Sequence, residues 1–490
     1  MHLQFDGQGP LHAQLTRALK SAVFAGRVGC GARLPPTRLL ARELGLSRNT
    51  VLAAYEQLRA EGFVAARVGA GSYVSVPLQA RPPSLAGDEA DPVELPPQSD
   101  FADRARRFHD QARLADEGNG GLRYAFQYGV PLTNPVLTSA WARELAKAAL
   151  YTPPSYPMSQ GLPALRKAVC DYLTRRRGVQ AAPEDVLIVA GTQQALSLTA
   201  RILLNEGDTA VIEDPQYYAI RTVLRVHGAH LCGVPVDGEG LVCEALPARG
   251  ARLVCVTPSH QFPTGALLSL SRRMALLDYA QRTGSWIFED DYDGEFRYDA
   301  RPLAALRSLD RHDRVIYVGT FSKVMFPALR LGYLVMPAGL RRDFVAAKWL
   351  DDFGSPAIEQ AAMANFIADG GFERHLRRTA RELKRRRDAL LAGLRRYGGD
   401  RLQIADSRAG MHLAVWLRGR GRADAEALIA RARRRGLGLY SISPRYLDPP
   451  DRAGLLMGYG GLSVAEIEQA VALLGCCLDE LFPVQGPLQG

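Results

Sequence analysis

Three charged side chains follow strand-like apolar runs in the second half of the sequence. Lys323 lies just beyond the run VIYVG, Arg330 follows seven residues later, and Asp290 ends the run WIFED 33 residues before the lysine. A lysine amine can condense with an aldehyde, and an arginine can bind a phosphate through paired hydrogen bonds. A carboxylate can keep an aromatic ring nitrogen protonated. Together these side chains indicate chemistry on an aromatic aldehyde that carries a phosphate.

Glycine, hydroxyl and aromatic residues complete the requirements of such a site. Gly191, Thr192 and Gln193 stand between the run VLIVA and a predicted helix, where backbone N–H groups can bind a phosphate. The other candidates are two hydroxyl residues beside the lysine and two tyrosines after further strands: Thr320, Ser322, Tyr217 and Tyr292. A flat tyrosine ring can stack on a heteroaromatic ring. The set as a whole predicts a site for pyridoxal 5'-phosphate.

Each signal has an ordinary explanation when it is taken alone. A lysine after a strand is usually a surface residue, and GTQQ is an unremarkable helix start. EDDYD could be a metal-binding acidic cluster or a solvated turn. The joint occurrence of the signals in this order favours the cofactor, and we predict no metal site. His260, in PSHQFPTG, could line the cofactor or be a satisfied structural histidine.

The elements that must position these residues alternate between strands and helices from about residue 121 to 485. Runs such as TAVIED, ARLVCVTP and RVIYVGTF are short, rich in β-branched residues and end in polar residues. Parallel sheets covered on both faces give this pattern, and their ligands gather at the carboxyl ends of the strands. We therefore predict an α/β domain with a mostly parallel sheet, completed by a smaller α+β subdomain over 356–485.

Residues 1–78 predict a separate winged helix-turn-helix domain. LHAQLTRALKSAVFAGRV, PPTRLLARELG and SRNTVLAAYEQLRAEG have the spacing and end signals of three helices, and FVAARVGAGSYVSV alternates like a hairpin. A second helix that follows a short turn and is closed by a wing suits the major groove of DNA. Residues 79–120 contain two Pro-Pro pairs and little apolar periodicity, so we predict a flexible or extended linker, in which RARRFHDQARLA could also form a short helix.

The charge of this first domain supports a nucleic-acid partner. It contains nine Lys and Arg against four Asp and Glu, about half of the chain's net charge of +10. At the start of the third helix, Arg48, Asn49 and Thr50 would face base edges and phosphates. The predicted contacts to the DNA backbone come from the preceding helix and the wing: Arg38, Arg67, Gly71 and Ser72.

The amino-acid composition is that of an ordinary globular protein and restricts the possible functions little further. The 490 residues are 47% hydrophobic and 23% charged, and no stretch reaches the roughly 20 apolar residues of a membrane span. Neither the start of the sequence nor its seven scattered cysteines indicates secretion. We therefore expect reduced thiols, a cytoplasmic location and no membrane partner.

Two parts of the sequence resemble known families. The stretch RLPPTRLLARELGLSRNTVLAAYEQLRAEGFVAARVGAGSYV closely resembles the GntR family of winged-helix regulators, whose Arg and Thr positions touch operator DNA. The larger part, with TPSHQFPTG, EDDYDGEF and GTFSKVMFPALRLGY, is similar to fold-type I aminotransferases. The combination looks like the MocR/GabR-type regulators, in which a GntR winged helix is fused to an aminotransferase domain.

The aminotransferase resemblance implies a role for each candidate residue. Lys323 would be the catalytic lysine that binds the cofactor covalently, Asp290 would bond the pyridine nitrogen, and Tyr292 would bond the phenolic oxygen. Tyr217 would stack on the ring. Tyr156, in YPMSQG, matches a tyrosine that reaches the phosphate from a neighbouring subunit, which implies a head-to-tail or domain-swapped homodimer. The implied phosphate ligands are Thr192, Gln193, Thr320 and Arg330, with Ser322 beside the lysine.

Two positions depart from the amino-acid-transferring enzymes. Phe262 stands where those enzymes have an Asn that bonds the phenolic oxygen, and Leu456 stands where they have an Arg that binds the substrate carboxylate. Arg445 and Arg452, in SPRYLDPPDRAG, are nearby candidates for anion recognition, and we favour Arg445 for the effector, although either could simply decorate a loop. The usual carboxylate clamp is thus absent or relocated.

These observations predict a transcription regulator that binds operator DNA and responds to pyridoxal phosphate, to an amine or amino-acid effector, or to both. The alternative is an active aminotransferase with an appended DNA-binding module, which multiple-turnover amino transfer would reveal. A third hypothesis is an interaction protein with a degenerate fold, which would bind no chromophore.

Overall fold

The structure is a computed structural model that describes residues 3–67, 71–75, 97–116, 122–132, 135–298 and 303–483. It divides the chain into two units, Met1–Pro97 and Gln98–Gly490. This division separates the predicted DNA-binding domain from the predicted cofactor domain.

The first unit is a three-helix domain with a β-hairpin. Its elements are α1 (Leu11–Phe24), α2 (Thr37–Leu44), α3 (Arg48–Ala60), β1 (Val64–Arg67) and β2 (Gly71–Val74). Leu15, Leu40 and Val51, one from each helix, are completely buried in a shared core. Gly45 ends α2 with φ 66°, a left-handed conformation that glycine adopts without strain, and the chain then turns into α3. The predicted helices and hairpin are thus present.

A further helix, α4 (Asp100–Asp116), lies inside the stretch that the sequence predicts to be a linker. It belongs to the second unit, where Arg104 Nε donates to the carbonyl oxygen of Val226 at 2.9 Å and Phe101 meets His227 edge to face. Residues 79–96 and 117–120 of the predicted linker lie outside the described residues. The part of this stretch that joins the two units is therefore shorter than 79–120.

The second unit is built on an eight-stranded sheet. In spatial order its strands are β4 (Val186–Val189), β11 (Gly332–Val335), β10 (Val315–Thr320), β9 (Trp286–Asp291), β8 (Leu253–Val256), β5 (Thr209–Asp214), β6 (His230–Asp237) and β7 (Gly240–Leu241). Only β11 and the hairpin strand β7 run antiparallel to their neighbours. The prediction of a mostly parallel sheet is confirmed.

Helices cover both faces of this sheet. Alternate residues of β4 separate the two cores, because Ile188 packs in one buried cluster and Leu187 in the other. The helices of the second unit after α4 are α5 (Pro135–Tyr151), α6 (Pro163–Arg177), α7 (Thr192–Leu203), α8 (Tyr218–Val226), α9 (Leu270–Thr283), α10 (Arg341–Asp352), α11 (Ala357–Ala368), α12 (Gly371–Gly398), α13 (Arg422–Arg434) and α14 (Val464–Leu481).

The C-terminal part adds a smaller antiparallel sheet, as predicted for the α+β subdomain. It consists of β12 (Leu402–Ile404), β13 (His412–Leu417) and β15 (Gly454–Gly458), and the short β14 (Leu437–Gly438) pairs with β3 (Tyr124–Ala125). α12 packs against α14 beside this sheet. Within the described ranges, no helix combines the length and apolar character needed to cross a membrane.

Candidate functional site

The predicted cofactor residues meet at the carboxyl edge of the large sheet. β9 and β10 are parallel neighbours, with Asp290 in register with Val318, so Asp290 and the segment after Thr320 emerge on the same side. β4 ends there as well and leads through Gly191 into α7. The sheet topology therefore brings together residues that are more than a hundred positions apart in sequence.

Gly191 forms the base of an anion-binding cradle. Its φ of 99° is strained for other residues, and a Cβ atom there would lie 3.7 Å from both Nη atoms of Arg330 and 3.8 Å from Thr320 Oγ1. The Oγ of Ser322 is buried and has no hydrogen-bond partner among the described residues. Thr192 and Gln193 open α7, where backbone N–H groups have no intrahelical acceptor. The cradle thus provides an arginine, hydroxyls and free amides for a phosphate.

Lys323 is held beside this cradle by the backbone of another segment. Its Nζ donates to the carbonyl oxygen of Gly129 at 2.8 Å, and a Cβ atom on Gly129 would lie 3.0 Å from Nζ. Burial lowers the pKa of Lys323, against the opposing effect of the Asp293 and Asp290 carboxylates. A lowered pKa increases the fraction of neutral amine, the form that can attack an aldehyde.

Asp290 is a buried carboxyl that no cation of the chain pairs with directly among the described residues. Thr192 Oγ1 donates to its Oδ1 at 3.3 Å. Burial, reinforced by the neighbouring Asp291, raises the pKa of Asp290 to about 7. A protonated ring nitrogen beside this carboxyl would stabilise its ionised form, as the predicted role requires.

His260 links Tyr292 to a buried acid. Its Nδ1 lies 2.9 Å from Asp293 Oδ2 and 3.0 Å from Tyr292 Oη, and its Nε2 lies 2.9 Å from Ser407 Oγ. A single Nδ1 proton can be shared with only one partner, and donation to the Asp293 carboxylate leaves the Tyr292 hydroxyl proton for another acceptor. Burial raises the pKa of Tyr292 well above its usual range, so the hydroxyl remains a donor. His260 is therefore both hydrogen-bonded in the core and adjacent to a predicted cofactor ligand.

Aromatic rings form a wall around Phe262. The ring of Tyr217 meets that of Phe262 edge to face with centroids 5.8 Å apart. Tyr128 approaches the same phenylalanine at 5.8 Å, His412 at 5.2 Å and Tyr292 at 6.2 Å. The position where the enzymes carry an Asn is thus the centre of an apolar cluster.

Arg445 lies at the end of this wall, 6% exposed. Its Nη2 donates to Tyr128 Oη at 2.6 Å, and its guanidinium lies 5.1 Å from the ring centroid of Tyr128 and 5.2 Å from that of Tyr218. Its Nε and both side-chain polar atoms of Gln216 are buried without a hydrogen-bond partner among the described residues. The backbone N–H of Gln216 donates to the Arg445 carbonyl at 3.0 Å, which ties the two together. These groups can bind an anionic ligand.

The other carboxylate-binding candidates lie elsewhere. Arg452 is exposed, with its guanidinium 4.0 Å from the ring centroid of Trp416 and its Nη2 donating to Gln403 at 2.9 Å. Leu456 is buried within β15. Tyr156 is 89% exposed and its ring centroid lies 6.1 Å from that of Phe353, so it is not part of the cluster around Lys323 within one chain.

The N-terminus of α3 is the exposed feature of the first unit that fits DNA. Ser47 caps the helix by accepting from the Thr50 backbone N–H at 3.0 Å, and its Oγ lies 2.8 Å from Thr50 Oγ1. Arg48 and Asn49 are exposed in the first turn. The remaining predicted contacts are exposed or half-buried on α2 and the hairpin: Arg38, Arg67, Gly71 and Ser72.

The Arg67 guanidinium lies 4.8 Å from the ring centroid of Tyr73, which holds this side chain on the hairpin. Residues 68–70, between the two strands, lie outside the described residues.

Sequence reasoning missed several residues of the pocket. Tyr128 and Gly129 lie far upstream in a segment without regular structure, and His412 enters from the smaller sheet. Gln216 was also missed, although it stands next to the predicted Tyr217. The QYG triplet before α5 was the available signal for Tyr128 and Gly129, because a glycine there permits close backbone approach.

Two family models match the chain. The family described as aminotransferase class I and II matches residues 128–450, and the family described as bacterial regulatory proteins, gntR family, matches residues 11–74. The probable rhizopine catabolism regulatory protein MocR of Rhizobium meliloti is 36% identical over 472 residues, which cover 96% of this chain and 94% of that protein. The HTH-type transcriptional regulator TauR of Rhodobacter capsulatus is 33% identical over 484 residues, 96% of this chain and 97% of TauR.

Solved structures resemble the second unit. LysN, an α-aminoadipate aminotransferase from Thermus thermophilus that was crystallised with N-(5'-phosphopyridoxyl)-L-leucine, matches with a TM-score of 0.68 and 27% identity. The match covers 78% of this chain and 97% of LysN. The two family-model matches lie on opposite sides of the boundary between the two units.

Proposed function

The chain belongs to the MocR/GabR-type regulators, in which a GntR winged helix precedes an aminotransferase class I and II domain that binds pyridoxal phosphate, and from this premise we propose how its residues perform regulation. The protein is a transcription regulator. We propose that the second unit senses the cofactor and a small effector, and that the first unit binds operator DNA in the cytoplasm.

Lys323, the buried Asp290 and the anion-binding cradle meet at one edge of the large sheet, and our proposal is based on this arrangement. The unpartnered Ser322 hydroxyl and the space over Gly191 fit the phosphate of pyridoxal phosphate, and Asp290 fits its pyridine nitrogen. In this assignment Lys323 would bind the aldehyde, Tyr292 would donate to the phenolic oxygen and Tyr217 would cover the ring. The bound cofactor supplies an electrophilic carbon with which a primary amine can react.

We propose that the effector is a primary amine with an acidic group. Its amine would react at the cofactor, and its acidic group would bind Arg445. The Nε of Arg445 and the side-chain polar atoms of the neighbouring Gln216 have no hydrogen-bond partner among the described residues. The buried position of Arg445 strengthens such a contact, because a charge-assisted hydrogen bond gains strength away from water. Leu456 cannot serve in this role because its side chain is apolar.

A homodimer would complete the site. In this proposal Tyr156 of each subunit, exposed in the single chain, reaches the phosphate cradle of the partner in a head-to-tail or domain-swapped arrangement. Dimerisation also presents two winged helices, which suits an operator with two half-sites. In each winged helix, Arg48 and Asn49 would read base edges, and Thr50, Arg38, Arg67, Gly71 and Ser72 would position the domain on phosphates.

Regulation requires that the ligand bind two arrangements of the dimer with different affinity, because only differential binding shifts their populations. The effector meets Arg445 on one segment and Lys323 on another, so it can favour the arrangement in which these segments are close together. The chain between the units would transmit this preference to the spacing of the winged helices.

The first experiment compares the visible absorption of the wild type with that of Lys323→Ala, before and after borohydride. We expect the wild type to absorb at about 410–430 nm. Borohydride should attach the cofactor irreversibly to the wild type alone, since only an imine is reduced in this way. A wild type that remains colourless with added cofactor would refute the cofactor assignment.

The second experiment selects operators from a random-sequence duplex library and compares Arg48→Ala with Arg42→Ala, another exposed arginine of the first unit. We expect loss of sequence preference only with Arg48→Ala. Equal preference in both variants would remove Arg48 from the recognition surface.

The intact lysine and buried acid also leave amino transfer as a second candidate function. Mixtures of amino acids and 2-oxo acids would decide between the two. Steady turnover at or above about 1 s⁻¹, the lower end for ordinary enzymes, would favour an enzyme, and a single half-reaction would favour a sensor.

A further inference from the structure

The helix α12 carries a stripe of arginines on its exposed face. The helix contains ten Lys and Arg against three Asp and Glu, and one face packs in the core through residues such as Leu376, Leu383 and Leu390. On the face away from this core, four exposed arginines follow one another at intervals of three, one and three residues. We call Arg374, Arg377, Arg378 and Arg381 the α12 arginine stripe.

Among the described residues, no carboxylate pairs with the α12 arginine stripe. The acids of the helix are already engaged, since Glu373 pairs with Arg176 at 2.7 Å, Glu382 with Arg385 and Arg386, and Asp388 with Lys384. Three of the four side chains, those of Arg374, Arg377 and Arg381, donate instead to backbone carbonyls, at 3.1 to 3.3 Å. The stripe therefore presents four uncompensated positive charges.

This arrangement does not help the helix to fold. Like charges three or four residues apart on a helix repel one another. Arg374 also lies in the first turn of α12, where the helix dipole disfavours cations. The stripe extends over about 10 Å of helix axis. A duplex presents one phosphate charge per roughly 1.7 Å of its own axis, so a surface of this length can meet several phosphates.

We infer that the α12 arginine stripe is a second DNA-contacting surface, which binds the phosphate backbone of the duplex held by the winged helices. DNA is the polyanion favoured over an acidic protein because the same chain holds DNA through its first unit, which gives the second unit a high effective concentration of phosphates. The inference rests on the DNA-binding function proposed above. It adds that the cofactor domain contributes affinity without reading sequence.

The test uses full-length holoprotein and a labelled mixed-sequence duplex several helical turns long. The stripe variant replaces all four arginines by Gln. A control variant replaces Arg249, Arg311, Arg342 and Arg422 by Gln; these are exposed arginines of the second unit without an acidic partner among the described residues. Both variants lose four charges, so their comparison separates a local surface from the effect of net charge. Unchanged cofactor absorption in both verifies folding.

The measured quantity is the slope of log binding constant against log salt. Each phosphate that an arginine no longer neutralises reduces this slope by about 0.9, so we expect the stripe variant to lose roughly 2 to 4 and the control less than about 1. Equal slopes for the stripe variant and the wild type, or equal losses in both variants, would overturn the inference. It would also be overturned if poly-L-glutamate lost as much affinity for the stripe variant as DNA did, because the stripe would then be a general polyanion surface. DNA binding by the wild type tests the proposed function separately.

Discussion

The two ends of the cofactor pocket differ in how closely their residues resemble those of aminotransferases. At one end, which we call the cradle end, Gly191, Thr320, Ser322 and Arg330 surround the anion-binding cradle. The Ser322 hydroxyl there has no partner among the described residues. At the opposite end, which we call the far end, an aromatic wall is centred on Phe262, and Leu456 is buried. The resemblance to aminotransferases places these two residues where the enzymes have an Asn and an Arg. The difference indicates that the chain keeps what is needed to hold the cofactor and changes what would bind an ordinary α-amino acid.

The same difference appears in the charges of the pocket. The cradle end combines a cation with the Ser322 hydroxyl, which has no partner among the described residues, whereas the far end has the buried Arg445 stacked between Tyr128 and Tyr218. An anionic ligand at the far end would therefore meet the guanidinium of Arg445. A sensor requires selective binding and little turnover, and this geometry suits that requirement.

The largest effect on the cradle end is expected from Asp290→Asn. Loss of the charged partner of the pyridine nitrogen should lower cofactor affinity by roughly 10- to 100-fold. In the apoprotein the same substitution should instead increase the free energy of unfolding, because burial raises the pKa of the Asp290 carboxyl from 3.8 to about 7. A raised carboxyl pKa means that the native state binds more protons than the unfolded chain between these values, so wild-type apoprotein loses stability as the pH rises from about 4 to about 7.

Asp290→Asn lacks this loss and should be more stable as apoprotein at pH 8, by up to about 4 kcal/mol. Urea unfolding followed by tryptophan fluorescence reports on the second unit alone, since all four tryptophans lie there. The advantage of the variant should shrink toward acid pH. A variant less stable than the wild type throughout this range would contradict the assignment of a destabilising buried acid.

The next-largest effect is expected at the far end of the pocket, from substitution of Arg445. Arg445→Gln should leave the absorption of the bound cofactor unchanged and weaken the response to amines that carry an acidic group by roughly 10- to 100-fold, because their anionic group loses its partner. Spectral titrations with α-, β- and γ-amino acids, taurine and simple alkyl amines would measure this. The alkyl amines should be unaffected.

Arg452→Gln is the matched control, since Arg452 stands seven residues away in sequence but lies on the surface over Trp416. It should behave as the wild type does. If Arg452→Gln lost the response and Arg445→Gln kept it, the far end of the pocket would be assigned to the wrong arginine.

A smaller effect is expected from Ser322→Ala. The Ser322 hydroxyl is buried without a partner among the described residues, so its removal should not destabilise the apoprotein, whereas a bound phosphate would lose one hydrogen bond. Cofactor affinity should fall about 3- to 10-fold. Ser197→Ala on α7, whose hydroxyl lies 3.4 Å from His227, serves as the control and should leave affinity unchanged. Unequal apoprotein stabilities with equal affinities would indicate a structural role for Ser322.

The sequence predicted the cradle end better than the far end, for physical reasons. Asp290 lies at the end of a strand, and Gly191 and Lys323 follow strands, of one mostly parallel sheet. The carboxyl ends of such strands meet by topology. The far end is assembled from Tyr128, which lies in an irregular segment, and from His412 and Arg445, which belong to the smaller subdomain. Local patterns do not encode how two subdomains pack, so those contacts required the structure.

α4 illustrates the same limit in the predicted linker. Its sequence is polar and carries few apolar residues, and its packing on α8 depends on contacts such as Arg104 with the Val226 carbonyl. A helix stabilised by tertiary contacts has little signal of its own. The winged helix, by contrast, encodes its core in helical periodicity and its turn in Gly45, which is why its elements could be predicted.

The smallest effect concerns Tyr292, which lies between the two ends. Phe262 cannot donate a hydrogen bond, so the Tyr292 hydroxyl is the donor that remains for the cofactor's phenolic oxygen. A donor stabilises the anionic form of that oxygen, and Tyr292→Phe should therefore raise the pH at which the bound cofactor changes its visible absorption, by about one pH unit or less. Tyr217→Phe removes a hydroxyl from the ring-covering tyrosine and should leave this pH unchanged. An identical midpoint in Tyr292→Phe and the wild type would show that the hydroxyl bonds His260 instead, at 3.0 Å, and the phenolic oxygen would then need a donor from elsewhere in the pocket.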